Sequence, residues 1–292
     1  MKKDSLNGVA ATIILIYRQM VHDENLSELA CLVRCSRLDL FDAIILAVVE
    51  GLTEFLPVSS TGHTILAAAL LNIAQTPFVK SFEITLEFGS ILAVVVLYWR
   101  YFLDFEVLKR LVVAFIPTGI VGLLIYRFFK DVLFGNEQIV LWALLLGGVF
   151  IILFEWRYKE RSKVDEISKI PYRDCLLIGV FQAVSVIPGV SRSAPTIMGG
   201  LALGMKRQTI VLFSFLLAVP TMIAASGFDL LMSYNEFSAG EVDLLLVGFV
   251  ASFLVAIPAI KLFLGYVRKH NFIPFGVYRI LLVVAFFLFV II

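Results

Sequence analysis

Six stretches of this sequence are each long and oily enough to cross a bilayer: residues 84–101, 108–127, 138–156, 209–232, 243–264 and 274–292. A helix needs about 20 apolar residues to span the hydrocarbon layer, and only helices or closed barrels satisfy their backbone polar groups there. The pattern therefore excludes a water-soluble globular fold and predicts an all-α polytopic membrane protein. Composition agrees: of 292 residues, 60% are hydrophobic and only 16% are charged. Lys and Arg number 24 against 23 Asp and Glu, a net charge of +1 that implies no nucleic-acid partner. Cys31, Cys35 and Cys175 form neither a disulfide framework nor a metal-binding spacing.

Two further apolar regions do not read as simple crossings. Phe41 to Ala74 is interrupted at Pro57 to Gly62, and Asp174 to Leu203 is interrupted at Pro188 to Ala194. Each interruption separates two pieces too short to span, the pattern of a re-entrant helical hairpin that enters and leaves on one side. The interruptions also resemble each other: Glu50 to Ser59 and Gln182 to Ser191 have the same spacing. Phe115-Ile116-Pro117 is echoed more weakly by Ala256-Ile257-Pro258. The expected architecture is an inverted-topology repeat, each half a re-entrant hairpin followed by three transmembrane helices. Repeat one covers about 39–156 and repeat two about 172–292, within one integral domain over 39–292. Residues 1–38 form a more polar amino-terminal extension whose apolar run, Val9 to Tyr17, is too short to cross.

Arg100, Lys109, Arg110, Arg157, Lys159, Arg161, Lys163, Lys169, Arg173, Lys206, Arg207, Arg268 and Lys269 fall in one set of loops. The other set carries little besides Lys80, Arg127 and Lys130. The positive-inside rule assigns the first set to the cytoplasm, so the first hairpin opens to the outer face.

The chemistry is concentrated in the two interruptions. Glu50 and Glu54 lie four apart on a helix and share a face. Two carboxylates so close in a low dielectric call for a proton or a hard divalent cation, Mg²⁺ or Ca²⁺, between them. Ser59, Ser60 and Thr61 follow Pro57 at the start of a second short helix, where free N–H groups favour an anion. Each hydroxyl also suits a helix cap. His63, one turn further, has the chemistry of a general acid or base. In the second interruption Arg192 is costly in lipid unless it meets an anion, and its planar fork suits phosphate. An internal ion pair with Glu50 or Glu54 is the alternative. Ser191, Ser193 and Thr196 add hydroxyl donors. Of the two carboxylates on the first crossing, Glu83 is expected at an exposed helix start and Glu87 deeper, in a supporting position. Together these groups make a phosphoryl-transfer set at membrane depth, whose substrate is a phosphorylated lipid.

The run Glu50-Gly-Leu-Thr-Glu-Phe-Leu-Pro-Val-Ser-Ser-Thr-Gly-His63 resembles the first signature of the undecaprenyl-diphosphatase family, the bacitracin-resistance phosphatases of bacteria. Pro188-Gly-Val-Ser-Arg-Ser193 resembles its second. Phe82-Glu83, Gly89 to Ala93, Phe213 to Pro220, Phe272 to Phe275 and Tyr278-Arg279 look like further landmarks. The resemblance implies hydrolysis of undecaprenyl diphosphate to the monophosphate, recycling the peptidoglycan carrier lipid in the bacterial cytoplasmic membrane. It implies a metal-linked acidic pair in Glu50 and Glu54, a nucleophile and partner in Ser60 and His63, phosphate binding by Arg192, and usually a homodimer. Whether Ser60, His63 or a water attacks stays open. A transporter or flippase of the same lipid is the rival, since broken helices in inverted repeats are transporter architecture.

Three features depart from the family. Ala194-Pro195-Thr196 stands where Gly-Ala-Thr is usual, Glu87 where glutamine is frequent, and the extension has no counterpart. Proline at the first helical position is well tolerated, so the second short helix is expected to survive. In a cysteine-free variant, a single cysteine placed within 156–173 should stay unlabelled by an impermeant maleimide on intact cells. Labelling without permeabilisation would reverse the orientation.

Overall fold

The computed structural model describes residues 38–128, 137–159, 164–233 and 242–288. Ten α-helices follow one another among these residues. The helices α1 (Leu40–Thr53) and α2 (Ser60–Leu70) are short, and α3 (Pro77–Leu103), α4 (Phe105–Phe128) and α5 (Glu137–Arg157) are long. A second short pair, α6 (Tyr172–Ala183) and α7 (Ser193–Ala202), precedes α8 (Arg207–Ser233), α9 (Val242–Tyr266) and α10 (Ile273–Phe286). The protein is an all-α, multi-pass membrane protein.

Five of these helices, α3, α4, α5, α8 and α9, are long and apolar enough to cross a membrane. They correspond to the first five stretches read from the sequence. The sixth, 274–292, is described as α10 up to Phe286, and its last residues, like the extension and most of the 233–242 loop, lie outside the described residues. Large apolar side chains cover the outside of the bundle, among them Leu124 at 79% exposure and Leu262 at 73%. In water such a surface would aggregate; in lipid it is the solvated face.

Neither short pair contains a helix long enough to span. Pro57 and Pro188 lie in the breaks, and α1 packs on α2 as α6 packs on α7. α1 begins with a capping box, in which Asp39 and Asp42 satisfy each other's backbone N–H. The packing between halves is reciprocal. α1 rests on α9, the middle long helix of the second half, and α6 rests on α4, the middle long helix of the first. α3 meets α8, and α5 meets α10. The echoed prolines, Pro117 and Pro258, lie inside α4 and α9.

Close approach depends on missing side chains, as in other membrane bundles. A Cβ on Gly179 of α6 would lie 2.1 Å from the Ala114 carbonyl oxygen of α4. At the α5–α10 crossing, a Cβ on Gly148 or on Gly276 would meet the other's carbonyl at 2.7 Å. At one end of the bundle Glu155 receives both Arg207 guanidinium nitrogens and, at 3.0 Å, the Phe272 N–H, tying α5, α8 and α10 together. In the adjoining loop, the Lys206 ammonium holds the Asp165 carboxyl below its ordinary range. Gly179→Ala should force α4 and α6 apart at a cost of about 1–3 kcal/mol. Thermal unfolding in detergent micelles would show this as a lowered transition.

Candidate active site

The two breaks meet inside the bundle and are joined by side chains. Arg192, from the second break, donates from Nη2 to Glu54 Oε1 at 2.8 Å and from Nη1 to the Ser214 carbonyl of α8 at 3.0 Å. The Glu54 side chain is 5% exposed and that of Arg192 11%. Ser193 Oγ donates to the Leu56 carbonyl of the first break at 2.9 Å. Arg279 of α10, fully buried, supplies the third tie. Its guanidinium reaches the carbonyls of Gly189 (2.6 Å), Ala143 (2.9 Å), Val190 (3.0 Å), Leu144 (3.2 Å) and Pro57 (3.5 Å). Those of Ala143 and Leu144 lie inside α5; those of Pro57, Gly189 and Val190 lie in the two breaks, where chain reversal leaves them without helical donors. Gly147 makes room for the guanidinium, since a Cβ there would lie 2.4 Å from Nη2.

The sequence groups Ser60 with His63 by spacing, but the structure gives them different partners. Ser60 Oγ donates a short hydrogen bond to Glu54 Oε2. His63 donates from Nδ1 to the Ser59 carbonyl at 2.7 Å, and its Nε2 lies 2.8 Å from the Tyr278 hydroxyl of α10. Glu54 is thus bridged on one oxygen by an arginine and on the other by a serine. One carboxylate orients a hydroxyl and neutralises a cation at once.

The remaining sequence-assigned groups cluster here in varied bonding states. Ser59 Oγ caps α2 by accepting the Gly62 N–H at 3.3 Å. Thr61 is half-buried in the first turn of α2. Ser191 Oγ lies 3.0 Å from Ser193 Oγ. Thr196 Oγ1 donates to the Arg192 carbonyl at 2.7 Å. α7 begins at Ser193, which puts Pro195 third in the helix rather than first. The helix survives there because a first-turn N–H has no intrahelical acceptor in any case, although the site has one backbone donor fewer.

Among the buried polar atoms without a hydrogen-bond partner in the described residues are Glu50 Oε1, Arg192 Nε and Ser214 Oγ. Unpaired buried groups are costly, and each of these atoms leaves a donor or acceptor that a ligand could satisfy. Gln182, the counterpart of Glu50 in the second break, is saturated by contrast. It donates to Thr118 Oγ1 at 3.0 Å and to Thr221 Oγ1 at 3.1 Å. Glu87 is half-buried and accepts from Ser226 of α8 at 2.6 Å. Glu83 departs from its expected exposed place: it is half-buried, with Oε1 shielded and unpartnered. The sequence reading assigned no role to Tyr278, Arg279 or Gln182. The two signals available were an arginine buried in an apolar helix and the tyrosine beside it.

A buried hydroxyl held by a carboxylate, beside an arginine with a free donor, is an arrangement suited to phosphoryl transfer. Residues 43–285 match the family described as "Bacitracin resistance protein BacA". Among similar proteins is one named undecaprenyl-diphosphatase from Persephonella marina, 50% identical over 253 residues, covering 86% of this chain and 99% of the relative. Another of that name, from Aquifex aeolicus, is 48% identical over 253 residues, 85% of this chain and 99% of its own. A third, from Wolinella succinogenes, is 48% identical over 251 residues, 85% and 97%. The chain belongs to the bacitracin resistance protein BacA family.

Removing Arg192 strands a buried carboxylate, so Arg192→Ala should destabilise the fold by about 3–5 kcal/mol. Adding Glu54→Gln to that variant should restore part of the loss, as a double-mutant cycle of detergent melting would reveal.

Proposed function

We propose that the protein hydrolyses undecaprenyl diphosphate to undecaprenyl phosphate and inorganic phosphate. This recycles the carrier lipid of peptidoglycan synthesis and confers resistance to bacitracin. The observation that carries the reading is the Ser60–Glu54–Arg192 chain of contacts. Its support from kinship is that the similar proteins cited above bear the name undecaprenyl-diphosphatase.

In this reading the terminal phosphate binds at Arg192, whose Nε is free to donate, and at the amino-terminal N–H groups of α7. Glu54 leaves the guanidinium as the phosphate arrives and keeps its hold on Ser60. Ser60 Oγ attacks the terminal phosphorus as its proton passes to Glu54, and the bond to the bridging oxygen breaks. Undecaprenyl phosphate departs; water, giving a proton to His63, then attacks the phosphorus, and Glu54 returns its proton to the departing Ser60 oxygen. The family resemblance pairs Ser60 with His63; the hydrogen bond from Ser60 to Glu54 supports Glu54 as its base instead.

Glu50 and Glu54 would hold a divalent cation, Mg²⁺ or Ca²⁺. Glu50 Oε1, buried without a partner, suits a hard cation. Among the described residues no three acidic, histidine or cysteine side chains converge as a metal cage, so phosphate oxygens and water would complete the shell. The cation would neutralise charge developing on the phosphate.

The same proposal covers the arrangement in the cell. The halves are inverted repeats, supported by the reciprocal packing of each hairpin on the other half's middle helix. The site opens to the outer face of the cytoplasmic membrane, supported by the loop charges. The active form is a homodimer, an expectation that rests on the family resemblance.

Purified protein in micelles with undecaprenyl diphosphate should release phosphate in a Mg²⁺- or Ca²⁺-dependent reaction. Ser60→Ala and Glu54→Gln should each lower kcat by about a hundredfold or more. Full activity in both variants sinks the assignment. Lipid transfer across sealed vesicles by the Ser60→Ala protein would favour the flippase reading.

A further inference from the structure

We propose that Tyr278 is a positioning residue for His63, holding the imidazole in a single tautomer with the Nε2 lone pair available to a reacting water. The inference rests on the phosphatase reading and extends it to α10, which lies outside both hairpins.

A carbonyl oxygen only accepts, so the 2.7 Å contact with Ser59 requires the hydrogen on Nδ1. In the neutral ring Nε2 is then the acceptor, and the phenol at 2.8 Å is its donor. The ring centroids are 5.5 Å apart and the planes 3° from parallel. With the planes near parallel and the 2.8 Å hydrogen bond between them, the rings lie side by side, and the phenol O–H meets Nε2 close to the plane of its lone pair. A histidine base whose other nitrogen is fixed by an acceptor keeps its working nitrogen unprotonated. The Ser59 carbonyl plays that part, and the phenol occupies the position from which a water would donate to Nε2.

Tyr278 is placed with unusual firmness for a residue on the last helix. Its neighbour Arg279 is hydrogen-bonded to carbonyls of α5 and of both breaks. α10 is thereby keyed to the site, and the phenol is keyed with it. The tyrosine is itself 44% exposed, so its hydroxyl has room to yield to water when substrate is bound.

The test uses Tyr278→Phe, which keeps the ring and removes the donor. In a background with His22 and His270 replaced by glutamine, ¹⁵N-labelled His63 gives an unobstructed spectrum in micelles. The wild-type ring should show Nδ1 protonated and Nε2 as acceptor, and Tyr278→Phe should move both signals toward a mixture of tautomers. In phosphate-release assays kcat should fall about tenfold to a hundredfold while KM stays within about twofold. A wild-type ring protonated on Nε2 overturns the proposal, as does a phenylalanine variant with unchanged spectrum and kcat. If the wild type releases no phosphate, the phosphatase reading fails, and the spectrum still decides how the ring is held.

Discussion

A polypeptide that breaks its helices inside a membrane leaves carbonyl oxygens with neither water nor a helical donor to meet them. In this protein one guanidinium answers much of that demand. Arg279 gathers carbonyls from Pro57 in the first break, Gly189 and Val190 in the second, and Ala143 and Leu144 of α5. The charge is tolerable because its donors meet fixed dipoles from several directions, in place of the water it has lost. The two breaks hold their places through this residue, and the ion pair between them depends on that fixity.

The Glu54–Arg192 pair gives the resting site its own counter-ion. In the proposed reaction an incoming phosphate exchanges with a carboxylate already in place, so affinity is the difference between two buried electrostatic interactions. On that proposal the arrangement limits how tightly the product phosphate is held. It also spares the protein an uncompensated arginine between turnovers. The asymmetry between the breaks fits this division of work. Gln182 is neutral and saturated by Thr118 and Thr221, whereas Glu50 keeps an unpartnered oxygen. One break is fully bonded at that position, and the other keeps an acceptor that the proposed cation would use.

Much of this was legible in the sequence because lipid is an unforgiving solvent. Long apolar stretches became α3, α4, α5, α8 and α9, and the stretches broken at Pro57 and Pro188 became short helix pairs. An arginine beside acidic residues in oily surroundings had few fates, and the ion pair it forms was among those weighed. Other partnerships were not legible. Spacing places Ser60 and His63 on neighbouring positions of α2 but does not say which way each side chain turns. Ser60 faces back to Glu54, and His63 faces a tyrosine 215 residues away. Glu83 looked like a surface residue because helix starts usually face water, yet this one lies against the bundle with a shielded oxygen. Arg279 was legible only as part of the Tyr278-Arg279 family landmark, without a role, since its acceptors are backbone atoms with no sequence signature.

Ser59 and Ser191, which the repeat lays over one another, share a further property: both have left-handed backbones, with φ of 72° and 78°. That region costs a residue with a Cβ about 1–2 kcal/mol, and glycine would occupy it freely. Ser59 uses its side chain to cap α2, and Ser191 uses its own against Ser193. The turns are thus shaped by compulsion rather than by preference, each pinned by what it bonds. A backbone held in this way has little room to drift, and the rigidity of the reaction centre begins at two residues whose own conformational preference points elsewhere.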